Sequence, residues 1–192
     1  MKARIRYLAP IITLLALLAA PISASKTFNA DGRYRIVVFS ELRYGNDNTQ
    51  NKQKQTFQSS VLSAFNPDFV ALNGNMIDGT AWDGKSQTFT QSRWNQLTQP
   101  MVDNKVGWGF TLGAADLAGN IKNARDLVIY DNSISDMSRT QLASSSIDGN
   151  TFYSLPVHSS KDPAKIIYNI WFFDSTSGVC GSRQGESNTC IS

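Results

Sequence analysis

The sequence predicts an α/β fold built around a parallel sheet, on three observations. Three apolar runs, Arg35–Ser40, Asp68–Gly74 and Val106–Leu112, each end in a polar, glycine-containing loop. The segments between them switch to helical spacing of apolar residues. Strand, helix, strand, helix, strand is the order of a parallel layer joined by crossovers.

The elements follow in chain order. Lys26–Tyr34 is a polar lead-in, and Arg35-Ile-Val-Val-Phe-Ser40 has the β-branched composition of a buried strand. From Thr49 to Phe65, Phe57, Val61, Leu62 and Phe65 fall on one helical face with Gln and Lys opposite. Asn66-Pro67 stops that helix, because a residue before proline is pushed out of the α region. Asp68–Gly74 is the second strand, with a polar loop running through Gly79. Ser92–Asn104 carries Trp94, Leu97 and Met101 at helical spacing, and Pro100 is expected to kink or end the helix. Val106–Leu112 is the third strand and terminates at Gly113. After Asp131 the pattern loosens; 135–144 reads as a short helix capped by Asp136 or Ser138. Asn150–Val157 and Lys165–Asp174 read as paired strands joined by a polar loop. Ligands bind beyond the carboxyl ends of parallel strands, so the loops at 41–48, 74–80 and 113–119 are expected to converge on a site.

Lys2, Arg4 and Arg6 precede an apolar run from Tyr7 to Ala20 and a Pro21-Ile-Ser-Ala24 exit, the layout of a signal peptide over residues 1–24. An uncleaved anchor is the alternative, although the run is short of the ~20 residues that span a bilayer. Cleavage would remove three of the 18 Lys and Arg residues and none of the 15 Asp and Glu, leaving a balanced chain. A balanced chain lacks the phosphate attraction of a general nucleic-acid or anionic-membrane binder, so neither is expected as a partner. In an exported protein, Cys180 and Cys190 are more simply a disulfide closing a small loop than two free thiols. No Cys-x-x-Cys spacing supports them as zinc ligands.

The three loops read Ser40-Glu-Leu-Arg-Tyr-Gly45, Asn73-Gly-Asn-Met-Ile-Asp-Gly79 and Leu112-Gly-Ala-Ala-Asp116. In order and placement they resemble the calcineurin-like metallophosphoesterases, in particular the purple-acid-phosphatase-like secreted branch. That family carries Asp-x-His, Gly-Asp and Gly-Asn-His-Asp/Glu at these places. Trp171-Phe-Phe-Asp-Ser175, with Gly178 and Cys180, resembles the strand and loop ahead of the family's second half. The resemblance implies the N-terminal half of a metallophosphoesterase-type β-sandwich flanked by helices. It implies a partial domain over residues 33–192, with the second half and its histidines absent.

In such enzymes two cations about 3.5–4 Å apart clamp the phosphate while a bound hydroxide attacks. The resemblance places Glu41 where the first aspartate stands, Arg43 at the paired histidine, Asn75 at the bridging aspartate, and Ala114 and Ala115 at the amide and catalytic imidazole. Arg43 is a permanent cation and cannot ligate a metal. Asp78 and Asp116 are the remaining acids nearby. Arg43 can replace the lost cations by pairing with Glu41, Asp78 or Asp116, or it can point into solvent. A weak oxygen-only site for Mg²⁺, Ca²⁺ or Mn²⁺ on Glu41, Asn75 and Asp78 or Asp116 is the alternative to those acids serving as loop caps. His158, the chain's single histidine, reads as an ordinary loop residue between the last two strands.

No Gly-x-Ser-x-Gly elbow or phosphate-cradling glycine loop occurs, and Asp83-Gly-Lys-Ser86 reads as a turn. Trp82, Trp94 and Trp108 are candidates for a glycan-binding surface, with Trp94 and Trp108 fitting a core pattern better. The expectation is a secreted phosphoesterase-domain protein that is catalytically inactive or strongly impaired because its dimetal ligands are replaced, binding a partner protein or a small phosphorylated ligand and needing no cofactor. A residual metal-dependent phosphatase and a truncated product without settled function are the alternatives.

Overall fold

The computed structural model describes residues 27–144 and 149–174. The expected signal peptide and the Cys180–Cys190 pair lie outside the described residues. The fold is mixed α/β. Strands β1 (Ile36–Phe39), β2 (Phe69–Asn73) and β3 (Trp108–Thr111) form a parallel sheet in the order β1-β2-β3. Helices α1 (Asn48–Phe65) and α2 (Phe89–Asp103) connect them, and α3 (Ala124–Ile134) follows β3. Strands β4 (Tyr153–His158) and β5 (Ile166–Phe172) form a separate antiparallel pair.

Two apolar layers hold these parts together. On one side of the parallel sheet, Val70, Leu72 and Phe110 pack with Leu62, Trp94, Leu97, Met101 and Leu127 from the helices. On the other side, Phe69 meets Tyr153, Leu155 and Phe172 of the antiparallel pair. The Tyr153 and Phe172 rings stack at 4.6 Å, and the Tyr153 hydroxyl donates to the Phe110 carbonyl at 2.9 Å. Gly109 permits this approach, since a Cβ there would sit 2.8 Å from the Tyr153 oxygen.

Several elements differ from the sequence expectation. The first strand is an outer edge, with Ile36 37% and Val38 60% exposed, because the two-stranded sheet does not reach across it. Helix α1 is rotated relative to its apolar stripe: Asn51, Gln58 and Leu62 are buried, whereas Phe57 and Phe65 remain exposed. The neighbours of α1 explain the rotation, because they present polar backbone. Asn51 donates to the Gly45 carbonyl at 2.8 Å and accepts from its amide at 3.1 Å. Gln58 donates to the Leu97 carbonyl at 3.3 Å and accepts from the Tyr44 hydroxyl at 2.5 Å. The helix ends at Asn66 in the left-handed conformation, ahead of Pro67, as expected.

Pro100 lies inside α2 and does not end it. Proline lacks the amide that would bond the carbonyl four residues earlier, which is that of Gln96. Gln55 of α1 supplies the missing donor, its Nε2 lying 2.8 Å from the Gln96 oxygen. No helix occupies 135–144; it occupies Ala124–Ile134, capped by Asn123, whose side chain accepts from the Arg125 amide. His158 closes β4 rather than sitting in a loop, and the Thr27 bridge pairs with it.

Segment 135–140 instead covers the far edge of β3. The Arg139 amide donates to the Trp108 carbonyl at 2.7 Å, and the Trp108 amide donates to that of Met137 at 3.3 Å. Asp131 pins this segment. Its Oδ1 accepts from the indoles of Trp94 at 2.7 Å and Trp108 at 3.0 Å, and its Oδ2 accepts from the Ser138 hydroxyl. Both tryptophans are fully buried, which places them in the core and not on a glycan surface. Replacing Asp131 with alanine leaves two indole donors and a hydroxyl unmatched in the interior. Asp131→Ala is expected to cost about 2–4 kcal/mol of stability, read from the urea midpoint; an unchanged midpoint would contradict the pinning role.

Candidate functional site

The three loops do converge at the carboxyl ends of β1, β2 and β3, and main-chain hydrogen bonds bring them together. The amides of Glu41, Arg43 and Tyr44 donate to the carbonyls of Gly74, Asn75 and Met76 at 3.2, 3.1 and 2.8 Å. The Asp78 amide returns to the Tyr44 carbonyl at 3.0 Å. These bonds extend the β1–β2 pairing past the sheet, so the first two loops run as a ribbon.

Asp116 ties the third loop to this ribbon. Its side chain is fully buried; Oδ1 accepts from the Ile77 amide at 2.7 Å, and Oδ2 accepts from those of Asn75 at 2.9 Å and Gly113 at 2.8 Å. Burial pushes this carboxyl above the usual carboxylate range, and the amides of Gly113, Ile77, Asn75 and Met76 oppose that shift without cancelling it. Asp116 follows Gly113 by three residues and is the third residue of the short 3₁₀ turn Ala114–Leu117, which Gly113 precedes. Its oxygens are therefore engaged by the protein's own backbone.

Asn75 is the second link. Its Nδ2 donates to Glu41 Oε1 at 2.5 Å, and its Oδ1 accepts from the Ala115 amide at 2.9 Å. One amide thus bridges the first loop and the third. Glu41 also pairs with Arg43, Nε to Oε2 at 2.8 Å, with both side chains about half exposed. The Asn75 hydrogen bond, then that of Arg43, holds the Glu41 carboxyl below its ordinary value. Of the partners expected for Arg43, the structure selects Glu41. Glu41, Arg43 and Asn75 all adopt positive φ, at 58°, 48° and 52°. Left-handed backbone at three non-glycine residues in one cluster is a local cost that the surrounding bonds sustain.

The other expected residues fall around this core. Ala114 is exposed and Ala115 buried, and neither offers a donor atom on its side chain. Asp78 stands at the N-cap position of the 3₁₀ turn Gly79–Ala81, but its carboxylate accepts from the Thr80 hydroxyl at 2.5 Å and caps no backbone amide of the turn. Lys54, which the sequence pattern had placed on the outer face of α1, reaches the Arg43 carbonyl at 2.6 Å. Burial lowers its pKa, against the pull of Asp78 and Asp47. Tyr44 and Asn51 were missed as supports. The signal for this corner was the Asp47-Asn-Thr-Gln helix start, where the Asp47 carboxylate caps the amides of Thr49 and Gln50.

The donor set does not fit a pair of bound cations. Asp116 is enclosed, Asn75 turns its N–H toward Glu41, and Arg43 holds a fixed positive charge 2.8 Å from the same carboxylate. His158 ends β4, a strand whose start lies beside β3 through the 3.3 Å Thr111–Thr151 contact. Seven residues of extended chain put it about 20 Å away. Among the described residues, no group of three or more His, Cys, Asp or Glu side chains is arranged to hold a metal ion. No protein-family model matches the sequence, and no curated protein matches it.

Two outcomes are expected. A Cβ on residue 113 would lie 2.2 Å from Asn75 Oδ1, so Gly113→Ala displaces the bridging amide and costs about 2–3 kcal/mol, read by thermal melting. For Asp116, a folded pKa above the unfolded value means a stability contribution fully present below the unfolded pKa of about 3.9. That contribution is lost as pH rises through the folded pKa. Wild-type stability relative to Asp116→Asn should therefore decline from acid toward neutral pH. A pH-independent difference in urea titrations would refute the raised carboxyl.

Proposed function

We propose that this chain is an exported, non-catalytic protein on a calcineurin-like phosphoesterase scaffold. In this reading it acts by presenting its loop cluster to a partner protein or a small phosphorylated ligand. The order of the motif positions after β1, β2 and β3, and their meeting at one end of the sheet, support the scaffold part of the reading. The basic and apolar N-terminal segment supports export.

The observation that carries the non-catalytic part is the Asn75 amide. A bridging carboxylate between metals must face two cations; Asn75 instead donates a hydrogen bond to Glu41 and accepts one from the Ala115 amide. An aspartate at 75 would set a second negative charge against Glu41 unless a cation stood between them. The amide N–H and the Arg43 guanidinium thus supply the positive character that metals supply in a dinuclear site. Hydrolysis by a metal-bound hydroxide has no support from such a donor set.

The purified protein is expected to hydrolyse p-nitrophenyl phosphate no faster than a blank with Mn²⁺, Zn²⁺ or Fe²⁺. Its melting temperature should be insensitive to those ions, whereas Asn75→Asp should melt lower in chelator and recover with Mn²⁺. Metal-dependent turnover abolished by Glu41→Ala, or two stoichiometric transition-metal ions bound to the wild type, would overturn the reading.

A further inference from the structure

Beside β3, outside the loop cluster, lies a buried carboxylate to which the proposed function gives no part. Asp131 of α3 is fully buried, and segment 135–140 closes over it with the Ser138 hydroxyl on Oδ2. The same segment satisfies the outer edge of β3. It engages the amide and carbonyl of Trp108 through Met137 and Arg139, and the Phe110 amide through the Thr140 hydroxyl at 3.2 Å. Asn132, next to Asp131, donates to the Thr140 carbonyl at 3.2 Å. The segment is thus a strap, fastened to the strand on one side and to α3 on the other.

The closed strap carries two unmet electrostatic demands. Among the described residues, no Lys, Arg or His forms an ion pair with Asp131. Helix α2 and strand β3 face it with the indoles of Trp94 and Trp108, and the strap faces it with Ser138 and Thr140, none of which titrates. Strand β4 faces it with the Tyr153 phenol, which burial above all, and then the Asp131 charge, keeps protonated. Burial pushes the Asp131 carboxyl above the usual carboxylate range, and the bonds from Ser138, Trp94, Trp108 and Thr140 do not offset it. On the strap itself, Arg139 Nε is buried without a hydrogen-bond partner among the described residues, a further cost of closure.

We infer that segment 135–140 is a pH-sensitive strap on β3, closed while Asp131 is neutral and loosened once Asp131 is charged. The neutral acid retains the latch: Oδ1 still accepts from both indoles, and a proton on Oδ2 is donated to the Ser138 oxygen. The carboxylate keeps the same contacts but forgoes hydration, which it regains when Ser138 lifts and water reaches Oδ2. In the closed state the carboxyl titrates above its ordinary value, and with the strap lifted it returns toward about 3.9. Closure is therefore fully supported below that value and loses support as pH rises through the closed-state pKa. Opening bares the main chain of Trp108 and Phe110, a strand edge able to pair with another extended chain.

Amide hydrogen exchange on the purified full chain tests this. Protection of the Arg139 amide, which bonds the Trp108 carbonyl, should fall about tenfold or more between about pH 4 and about pH 8, after correction for intrinsic exchange. The Val70 amide, bonded within the sheet to the Gly107 carbonyl, should not follow that fall. Asp131→Asn offers the indoles the same oxygen and Ser138 an N–H, so its Arg139 protection should stay level across the range. Ser138→Ala should lower that protection at acid pH, where the wild type is closed. In the wild type, the indole N–H resonances of Trp94 and Trp108 should titrate with the midpoint seen in exchange, a readout that stands even if a variant fails to fold. Arg139 protection that is flat with pH, or that falls only in step with Val70, overturns the inference. So do indole resonances that do not titrate, a fall that persists in Asp131→Asn, or unchanged protection in Ser138→Ala.

Discussion

The enclosed carboxylate of Asp116 is the constraint on which the rest of the site depends. Three loops leave the ends of three parallel strands, and the amides of Asn75, Ile77 and Gly113 turn toward the buried Asp116 side chain. A single carboxylate accepts from Ile77, Asn75 and Gly113, so the second and third loops meet on one side chain. Charge-assisted bonds of this kind are stronger than neutral ones, and they tolerate the left-handed backbone at Asn75 that aims its amide. Once Asn75 is aimed, Glu41 and Arg43 follow from it through the hydrogen bond and the ion pair. Burial works against the ionised form of Asp116, so the knot balances desolvation against donors rather than holding an unopposed attraction.

Much of the architecture was legible because it rests on short-range chemistry. The apolar runs at Arg35–Ser40 and Asp68–Gly74 became β1 and β2, the Trp108–Thr111 run became β3, and Asn66-Pro67 ended α1, each through backbone preferences local to a few residues. The antiparallel pair β4–β5 was readable in the same way. What failed was orientation. The apolar stripe Phe57, Val61, Leu62, Phe65 pointed to one buried face, yet Asn51 and Gln58 are buried because the loop after β1 and the carbonyls of α2 need side-chain partners. Hydrophobic periodicity has no term for such obligations. Helix α3 was not expected from the sequence: Asn123 and Asp126 mark its start, but its buried face is short and mixes Leu127 and Val128 with Asp131, so the apolar period is weak.

The site divides along the same line. That the loops would meet followed from topology alone, since parallel strands deliver their following loops to one end. Which atoms would face one another did not follow. Glu41, Arg43, Asn75 and Asp116 were all identifiable as residues, but only the three-dimensional arrangement distinguishes a carboxylate open to solvent from one enclosed by amides. Tyr44, Asn51 and Lys54 support the cluster from positions that no motif marks.

The proline in α2 has a consequence for how the chain acquires its shape. The Gln96 carbonyl obtains its donor from Gln55, a residue on another helix. An isolated α2 segment would leave that oxygen to water. Position 55 is thereby coupled to position 100: the Gln55 amide is worth more to this fold with proline at 100 than it would be beside a residue that donates its own amide.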